Sequence, residues 1–285
     1  MCSKRPNTPE FWRDYASSAL GDGSRSPAFS GEIWDRAARD YDDLEACHDY
    51  MRQVECVLAS LRECGAVAPG QTVLDIACGT GAYALRIAPF CRSVTAIDIS
   101  GAMLQRLEEK RRRLGISNIQ SVATDWRDYT PEDRFDLVFV SLTPLLRSLD
   151  EIDRMLDASR RFFAIVSWAG VKKNVLHEEI AREVLGSAPE RHRVDVMIPF
   201  NYLYARGYAP DLRFFHGCWE RTRPWQRQAE NLLWQMEMRR PLTDAEKGAV
   251  LEAVRTRAVD GMITVRTRVR TAFLLVDKEA GKGPC

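Results

Sequence analysis

The sequence predicts an α/β fold built on a doubly wound, mostly parallel sheet. Five apolar segments rich in β-branched residues alternate with helical segments between residues 73 and 168, and two further strand-like segments follow towards the carboxyl end. Strands separated by helices pair in parallel through right-handed crossovers, which places helices on both faces of one sheet. Amphipathic helical segments precede the first strand and others follow the fifth, so we expect an N-terminal helical cap and helical insertions after strand five.

The first predicted strand leads directly into a glycine turn. Val73, Leu74 and Ile76 form a short apolar run typical of a strand that is covered on both faces. Gly79 and Gly81 follow, and glycine lets the chain turn sharply and lets a ligand lie against the backbone. The next apolar residues recur at helical spacing and predict that the loop opens onto a helix N-terminus with free N–H groups: Ala82, Ala84, Leu85, Ile87 and Ala88.

Two classes of ligand use such a junction, and the glycines alone do not separate them. The stretch from Gly79 to Ala84 fits a G-x-G-x-x-A dinucleotide fingerprint. Asp75, still on the strand, opposes that reading, because a carboxylate repels a pyrophosphate but suits the ammonium of an amino-acid-like ligand. A nicotinamide dehydrogenase and an ordinary glycine turn remain alternatives at this point.

The stretch Asp75-Ile-Ala-Cys-Gly-Thr-Gly81 closely resembles the first motif of class I S-adenosylmethionine-dependent methyltransferases. The resemblance extends over about residues 34–170 and implies S-adenosyl-L-methionine as cofactor, with S-adenosyl-L-homocysteine as product. It also implies a seven-stranded sheet whose last strand is antiparallel. The two final strand-like segments, Asp211 to Arg221 and Met262 to Val276, fit that edge.

Carboxylates also end the second and third predicted strands. Asp98 lies nineteen residues after Gly79, close to the separation of about 20 at which a carboxylate meets ribose hydroxyls. Because ligands of open α/β sheets sit outside the carboxyl ends of the strands, Asp75, Asp98 and Asp125 would converge there. By the resemblance Asp98 binds the ribose and Asp125-Trp126 meets the adenine, while a helix-capping acid is the alternative for Asp98. The resemblance implies these cofactor contacts: Asp75, Ala77, Cys78, Gly79, Thr80, Gly81, Asp98, Ile99, Met103, Asp125, Trp126, Ser141 and Leu142.

The sequence leaves the methyl acceptor open. Methyl transfer from a sulfonium needs alignment and exclusion of water rather than a fixed catalytic residue. The fourth strand ends in Ser141-Leu-Thr-Pro144, without the Asn/Asp-Pro-Pro-aromatic motif that related enzymes use on base amines or glutamine amides. Candidates for a general base are Tyr41, His48, Asp125, His192 and His216. Candidates for the substrate pocket are Trp34, Tyr41, Trp168, Tyr202, Tyr204 and Trp219, each of which also fits a core role.

Composition limits the partners. With 41 basic and 40 acidic residues the net charge is +1, so no global field draws the protein to nucleic acid or to an anionic membrane. The eight cysteines form no C-x-x-C pair, and we expect reduced thiols, no metal and a cytoplasmic location. No apolar run approaches the roughly 20 residues of a membrane span. Local clusters, Lys110 to Arg113 and Arg266, Arg268 and Arg270, keep an RNA or protein acceptor open as an alternative to a small molecule. A cofactor-binding module that lacks catalysis is a third hypothesis.

We expect residues 1–66 to form the helical cap, with the first ~30 residues partly flexible. Residues 67–285 would form the Rossmann-like domain, with added helices in 171–206 and 222–260. The sequence does not fix the oligomeric state.

Overall fold

A computed structural model of the chain describes residues 6–20, 29–187 and 195–280. The helices span Pro9–Leu20 (α1), Gly31–Leu44 (α2), His48–Glu63 (α3), Ala84–Ile87 (α4), Gly101–Arg113 (α5), Leu149–Ala158 (α6), Val175–Leu185 (α7), Met197–Ala205 (α8), Trp225–Glu237 (α9) and Asp244–Arg255 (α10). The strands span Thr72–Ile76 (β1), Ser93–Asp98 (β2), Ile119–Ala123 (β3), Phe135–Ser141 (β4), Ser159–Asn174 (β5), Asp211–Pro224 (β6) and Met262–Asp277 (β7).

The strands form one seven-stranded sheet in the order β3-β2-β1-β4-β5-β7-β6. The pairs from β3 through β5 are parallel, whereas β7 runs antiparallel to both β5 and β6. The predicted fold class, with its antiparallel last strand, is therefore confirmed. The order reverses between β1 and β4, and this switch point is where open α/β sheets bind their ligands.

The two faces of the sheet are buried by different helices. Along β4, Leu137 and Phe139 pack into one apolar cluster with the α3 residues, whereas Val138 and Val140 pack into a second cluster with the α6 residues. This alternation follows from the two-residue side-chain period of a strand. The parallel strands are apolar because both of their faces are covered.

The helices after β5 build an apolar cluster of their own. Ile180 of α7, Leu232 of α9 and Val250 of α10 pack there with Ile263 and Val265 of β7. α10 begins at a capping box in which Thr243 and Glu246 exchange hydrogen bonds, as the sequence Thr243-Asp-Ala-Glu predicts. The division of the chain into cap and core at residue 66 stays a prediction.

Three predicted elements have different bounds in the structure. The helix after the glycine loop is only four residues long, because Pro89 interrupts it and the chain continues as a 3₁₀ turn. The sequence of residues 145–160 predicts a helix after the fourth strand. In the structure this helix starts at Leu149, where the Ser148 hydroxyl caps it by accepting from the Glu151 N–H. The fifth strand extends over Ser159–Asn174 rather than residues 162–168, since β7 pairs with it along this length.

Within residues 6–20, 29–187 and 195–280, the structure contains no helix with the length and apolar character needed to cross a membrane. The cytoplasmic location expected from composition stays a prediction.

Candidate active site

A pocket opens at the carboxyl ends of β1, β2, β3 and β4. It is partly open to solvent. Its wall includes nine of the residues predicted to contact a cofactor: Ala77, Gly79, Asp98, Ile99, Met103, Asp125, Trp126, Ser141 and Leu142. The remaining wall residues are Phe29, Trp34, Tyr41, Ile97, Thr124, Thr143, Pro144 and Leu145. Asp98, Asp125 and Ser141, from three strand ends, therefore meet at one place. The other four predicted contacts, Asp75, Cys78, Thr80 and Gly81, are not among the described residues of the wall.

Asp98 joins the end of β2 to the glycine loop. One carboxylate oxygen accepts from the Gly79 N–H at 2.8 Å and the other accepts from the Ser100 N–H at 2.8 Å. Burial raises the pKa of Asp98, and nearby Asp35 adds to that shift. The cap of α5 is Ser100, whose hydroxyl accepts from the Met103 N–H. Asp98 thus lines the pocket with lone pairs still available to ribose hydroxyls.

The two loop glycines serve different purposes. Both have positive φ, +55° at Gly79 and +85° at Gly81, a region that glycine adopts without steric cost. A Cβ on Gly81 would lie 2.9 Å from Leu107 Cγ, so this glycine permits close packing of the loop against α5. A Cβ on Gly79 would find its nearest neighbours, Met103 and Tyr41, only at 4.0 Å. Gly79 therefore keeps the pocket open.

Asp75 carries an unsatisfied buried oxygen. The residue is 1% exposed, and its Oδ2 has no hydrogen-bond partner among the residues that the structure describes. Burial raises the pKa of Asp75 to about 8, with a further contribution from Asp98, against a hydrogen bond from the Ala84 N–H. A buried acceptor without a donor costs about 1–3 kcal/mol. Such an oxygen is suited to a donor that arrives with a ligand, such as an ammonium.

The carboxylate of Asp125 is hydrogen-bonded to Arg127. Its carboxylate accepts from the Arg127 side chain at 2.5–3.1 Å and from the Arg127 backbone N–H at 2.8 Å. Burial acts to raise the pKa of Asp125, but the hydrogen bonds from Arg127 outweigh it and the pKa is lowered. The Arg127 guanidinium also covers the Phe29 ring at 4.4 Å. A lowered pKa and a carboxylate paired with Arg127 disfavour proton uptake by Asp125, and its role as a general base stays a prediction.

Comparison with known proteins identifies the domain. Residues 73–164 match the family model described as "Methyltransferase domain". The structure also resembles the crystal structure of magnesium protoporphyrin IX methyltransferase from Synechocystis PCC 6803 with bound SAH, with a TM-score of 0.54 over 92% of this chain and 99% of that chain. Residues 73–164 are a class I methyltransferase domain. At 15% identity the structural likeness shows the fold alone.

The curated relatives share only parts of the chain. A protein of Haemophilus influenzae described as uncharacterized is 27% identical over 157 residues, which is 53% of this chain and 56% of that protein. The cypemycin N-terminal methyltransferase of Streptomyces sp is 39% identical over 72 residues, or 25% and 28% of the two chains. The malonyl-acyl-carrier-protein O-methyltransferase 1 of Ilyobacter polytropus is 30% identical over 101 residues, or 34% and 35%. The chain thus spans between about a quarter and just over half of the length of these relatives.

S-adenosylmethionine is the cofactor of class I methyltransferase domains, and the residues of this pocket fit it. The orphaned oxygen of Asp75 suits the cofactor's amine, and the two oxygens of Asp98 suit vicinal ribose hydroxyls. Gly79 leaves the space that a Cβ would take. Trp126, 3% exposed, contributes an apolar ring to the wall where the adenine would lie.

Two of the histidines proposed as a general base lie away from the pocket of the methyltransferase domain. The side chain of His48 is 89% exposed beside Asp49. His216 is exposed on β6, the edge strand. His192 falls outside the described residues. Tyr41 does line the pocket, and its pKa is raised by burial and then by the Asp98 charge.

The aromatic residues proposed for the substrate pocket divide in the same way. Trp34 and Tyr41 line the methyltransferase pocket and contact each other, with ring centroids 6.0 Å apart. Trp168 packs instead against Trp219 at 5.5 Å. Tyr202 is 1% exposed, and its hydroxyl donates to Asp153 at 2.6 Å. Trp168 and Tyr202 are not among the described residues that line this pocket.

Replacement of Asp98 should weaken cofactor binding far more than replacement of Asp125. We expect Asp98→Ala to lower the affinity for S-adenosylhomocysteine by about 10- to 100-fold, since a hydrogen bond to a charged group contributes roughly 1.5–3 kcal/mol. Asp125→Ala should cost less than about 5-fold, because Arg127 already occupies that carboxylate. Equilibrium dialysis measures both. An Asp125→Ala loss equal to or greater than that of Asp98→Ala would contradict the assignment.

Proposed function

We propose that this protein transfers the methyl group of S-adenosylmethionine to a small-molecule acceptor by in-line displacement. The observation that carries the proposal is the meeting of Asp75, Gly79 and Asp98 at the switch point of the sheet, with one carboxylate oxygen of Asp75 left without a donor in the described chain. When bound, the cofactor supplies an electrophilic methyl group on a sulfonium. The match of residues 73–164 to a methyltransferase domain supports the same reaction.

The residues around the pocket position the ligands and exclude water. Phe29, Trp34 and Tyr41 form an aromatic side of the wall. Removing water from the reacting groups strengthens every electrostatic contact inside the site and limits side reactions. Tyr41, with its raised pKa, stays a neutral hydroxyl that can donate a hydrogen bond to an acceptor.

Helix α2 is held in place over the pocket from both sides. On one side, Asp35 accepts from the Ser100 hydroxyl at 2.6 Å and from the Ala102 N–H at 3.0 Å. On the other, the indole N–H of Trp234 in α9 donates to the Ile33 carbonyl at 2.6 Å. Helix α2, which we call the roof, therefore covers the pocket, and its side chains Trp34 and Tyr41 line the pocket wall.

A second attachment of this roof is ionic. Asp40 of α2 forms an ion pair with Arg223 of β6 and accepts from Asn231 of α9 at 2.8 Å. Arg223 is 4% exposed and also donates to Gln228 at 2.9 Å. These contacts join α2 of the cap to the antiparallel edge of the sheet and to helix α9.

The arginine clusters give less support to an RNA acceptor. Lys110 forms ion pairs with Asp42 and Glu45, which lie in and directly after α2. Arg266 pairs with Glu220, and Arg270 donates to the Ala169 carbonyl. These contacts pair the cations with groups of the protein itself, so the cations have structural partners without an RNA. We therefore propose a small molecule rather than a nucleic acid.

Transfer of label from methyl-labelled S-adenosylmethionine to a metabolite extract tests the proposal. We expect label in small molecules that depends on the intact protein and is absent with Gly79→Arg, because an arginine side chain at this position fills the pocket. Chromatography with mass spectrometry identifies the labelled product. Label no higher than in the Gly79→Arg control, or label confined to RNA or protein, would contradict the proposal.

A further inference from the structure

A group of basic side chains lies outside the pocket wall described above. They are Lys172 on β5, His177 on α7, Arg221 on β6 and Arg239 after α9. Arg239 and Arg221 act electrostatically on Lys172, and Arg239 and Lys172 act on His177. We call this group the basic recess.

Strand register places two of these cations on one face of the sheet. Lys172 pairs with Val269 of β7, and Arg221 pairs with Val265 of the same strand. Residues an even number apart on a strand point to the same face. This is the face that α3 covers, because Trp219, two residues before Arg221, packs its ring on Tyr50 at 5.5 Å. Lys172 and Arg221 therefore point into the space beneath the cap.

Lys172 has no anionic partner among residues 6–20, 29–187 and 195–280. Its ammonium lies 4.6 Å from the centre of the Trp168 ring, and its side chain has no hydrogen bond or ion pair with any residue that the structure describes. Lys172 is exposed to solvent, yet desolvation by the surrounding protein lowers its pKa to about 8, followed by the charges of Arg239 and Arg221. A group that is both accessible and strongly desolvated lines a concave cavity. No carboxylate offsets these shifts.

Arg221 also forms no direct ion pair with the described residues, although the charges of Asp40, Cys47 and Asp43 act on it. It is half-buried, and its side chain forms no ion pair or hydrogen bond with the described residues, whereas Arg223 takes Asp40 and Gln228. Burial lowers the pKa of Arg221, and Arg223 lowers it further while Asp40 opposes the shift. A desolvated cation without a counterion is costly, and such groups cluster at functional sites.

His177 adds a neutral hydrogen-bonding group. It is 9% exposed, and burial, then Arg239 and Lys172, lower its pKa to about 4. The imidazole is therefore uncharged at neutral pH and does not add to the repulsion within the recess. Gln235 of α9 acts in the opposite direction by hydrogen bonding.

Tyr41 connects the basic recess to the cofactor pocket. Its hydroxyl is close enough to both Asp98 and Arg221 to feel their charges, which act on it in opposite directions. Its ring lines the pocket beside Gly79. An acceptor held by Arg221 would therefore extend past Tyr41 towards the site of the cofactor.

We propose that the methyl acceptor carries an anionic group, a carboxylate or a phosphate, that binds Lys172 and Arg221 beneath the cap. The inference rests on the proposed methyl transfer and names the chemical class of its substrate. An anion there supplies the counterion that the described chain lacks, and charge-assisted hydrogen bonds from a guanidinium suit both candidate groups. His177 can add a hydrogen bond to the bound anion.

Anion titration of the protein saturated with S-adenosylhomocysteine tests the inference. Sodium phosphate and sodium acetate are added at constant ionic strength against chloride, and tryptophan fluorescence reports on Trp168 and Trp219 beside the recess. We expect saturable binding of at least one anion to the wild-type protein. Arg221→Met and Lys172→Met should each weaken it at least about 10-fold. The anion that binds distinguishes a phosphate from a carboxylate acceptor.

Lys173→Met is the matched control, because Lys173 is exposed and pairs with Arg268, on the opposite face of the sheet. It should leave anion binding unchanged, and thermal unfolding of each variant confirms that it is folded. Absence of saturable anion binding by the wild-type protein would overturn the inference. Binding by Arg221→Met and Lys172→Met that is as strong as that of the wild-type protein would also overturn it. Failure of the wild-type protein to bind S-adenosylhomocysteine would instead overturn the proposed function, so the two failures are distinguishable.

Discussion

Gly79→Arg should remove S-adenosylhomocysteine binding, by at least about 100-fold, while the chain still folds. Gly79 borders the pocket, and a side chain there projects towards Met103 and Tyr41, the nearest atoms at 4.0 Å from a Cβ. The arginine would occupy the space required by the ligand. Its positive φ of +55° costs a non-glycine residue roughly 1–2 kcal/mol of stability. Equilibrium dialysis and thermal unfolding give the two quantities separately.

Gly81→Ala provides the contrasting variant in the same loop. Its Cβ would lie 2.9 Å from Leu107 Cγ and 3.3 Å from Leu85 Cδ1, so we expect a loss of stability of about 2–4 kcal/mol from strain and overpacking. Gly79→Arg should thus act mainly on binding and Gly81→Ala mainly on stability. Unimpaired binding by folded Gly79→Arg protein would contradict the location of the site.

Asp75→Asn should make the ligand-free protein more stable near neutral pH. Asp75 has a pKa of about 8 in the folded protein, against a reference value of 3.8. Between these values the folded state holds a proton that the unfolded state releases, so the free energy of unfolding falls as pH rises from about 4 to about 8. The variant lacks this penalty and should gain on the order of 1–4 kcal/mol at pH 7. Denaturant unfolding at pH 4 and pH 7 measures the difference, which should vanish at the lower pH.

The same substitution should weaken binding of the cofactor. We expect Asp75→Asn to reduce the affinity for S-adenosylhomocysteine by about 10- to 100-fold, because the ligand's ammonium can displace the proton of Asp75 and pair with the carboxylate, whereas an amide cannot become charged. Methylthioadenosine, which lacks the amino-acid moiety, is the matched ligand and should bind both proteins equally. Equal loss for both ligands would show that Asp75 acts on the loop rather than on the amine.

Local chemistry made the cofactor end of the site predictable. A short apolar run predicts each of the strands concerned. Asp75 lies in β1, Gly79 follows β1 and Asp98 ends β2. Parallel strands bring their carboxyl ends together at one edge of the sheet. Their roles as ligands stay predictions. The sequence does not predict that Phe29 lies in the pocket wall, because the segment before α2 carries no periodic pattern.

The other half of the site depends on contacts between distant segments. The apolar run of the fifth strand ends before Lys172, and only the pairing of β5 with β7 extends the strand far enough to point Lys172 beneath the cap. His48 and His177 both lie on helices, yet tertiary packing exposes the first and buries the second. Arg127 engages Asp125 from only two residues away, but nothing in their spacing predicts that ion pair.

Calorimetric titration of the purified wild-type protein with S-adenosylhomocysteine tests the central claim most directly. We expect saturable binding of one molecule per chain, with a dissociation constant on the order of micromolar, equivalent to about −8 kcal/mol. Absence of binding up to roughly 1 mM ligand, equivalent to about −4 kcal/mol, would contradict the assignment of the pocket at Asp75, Gly79 and Asp98 to this cofactor.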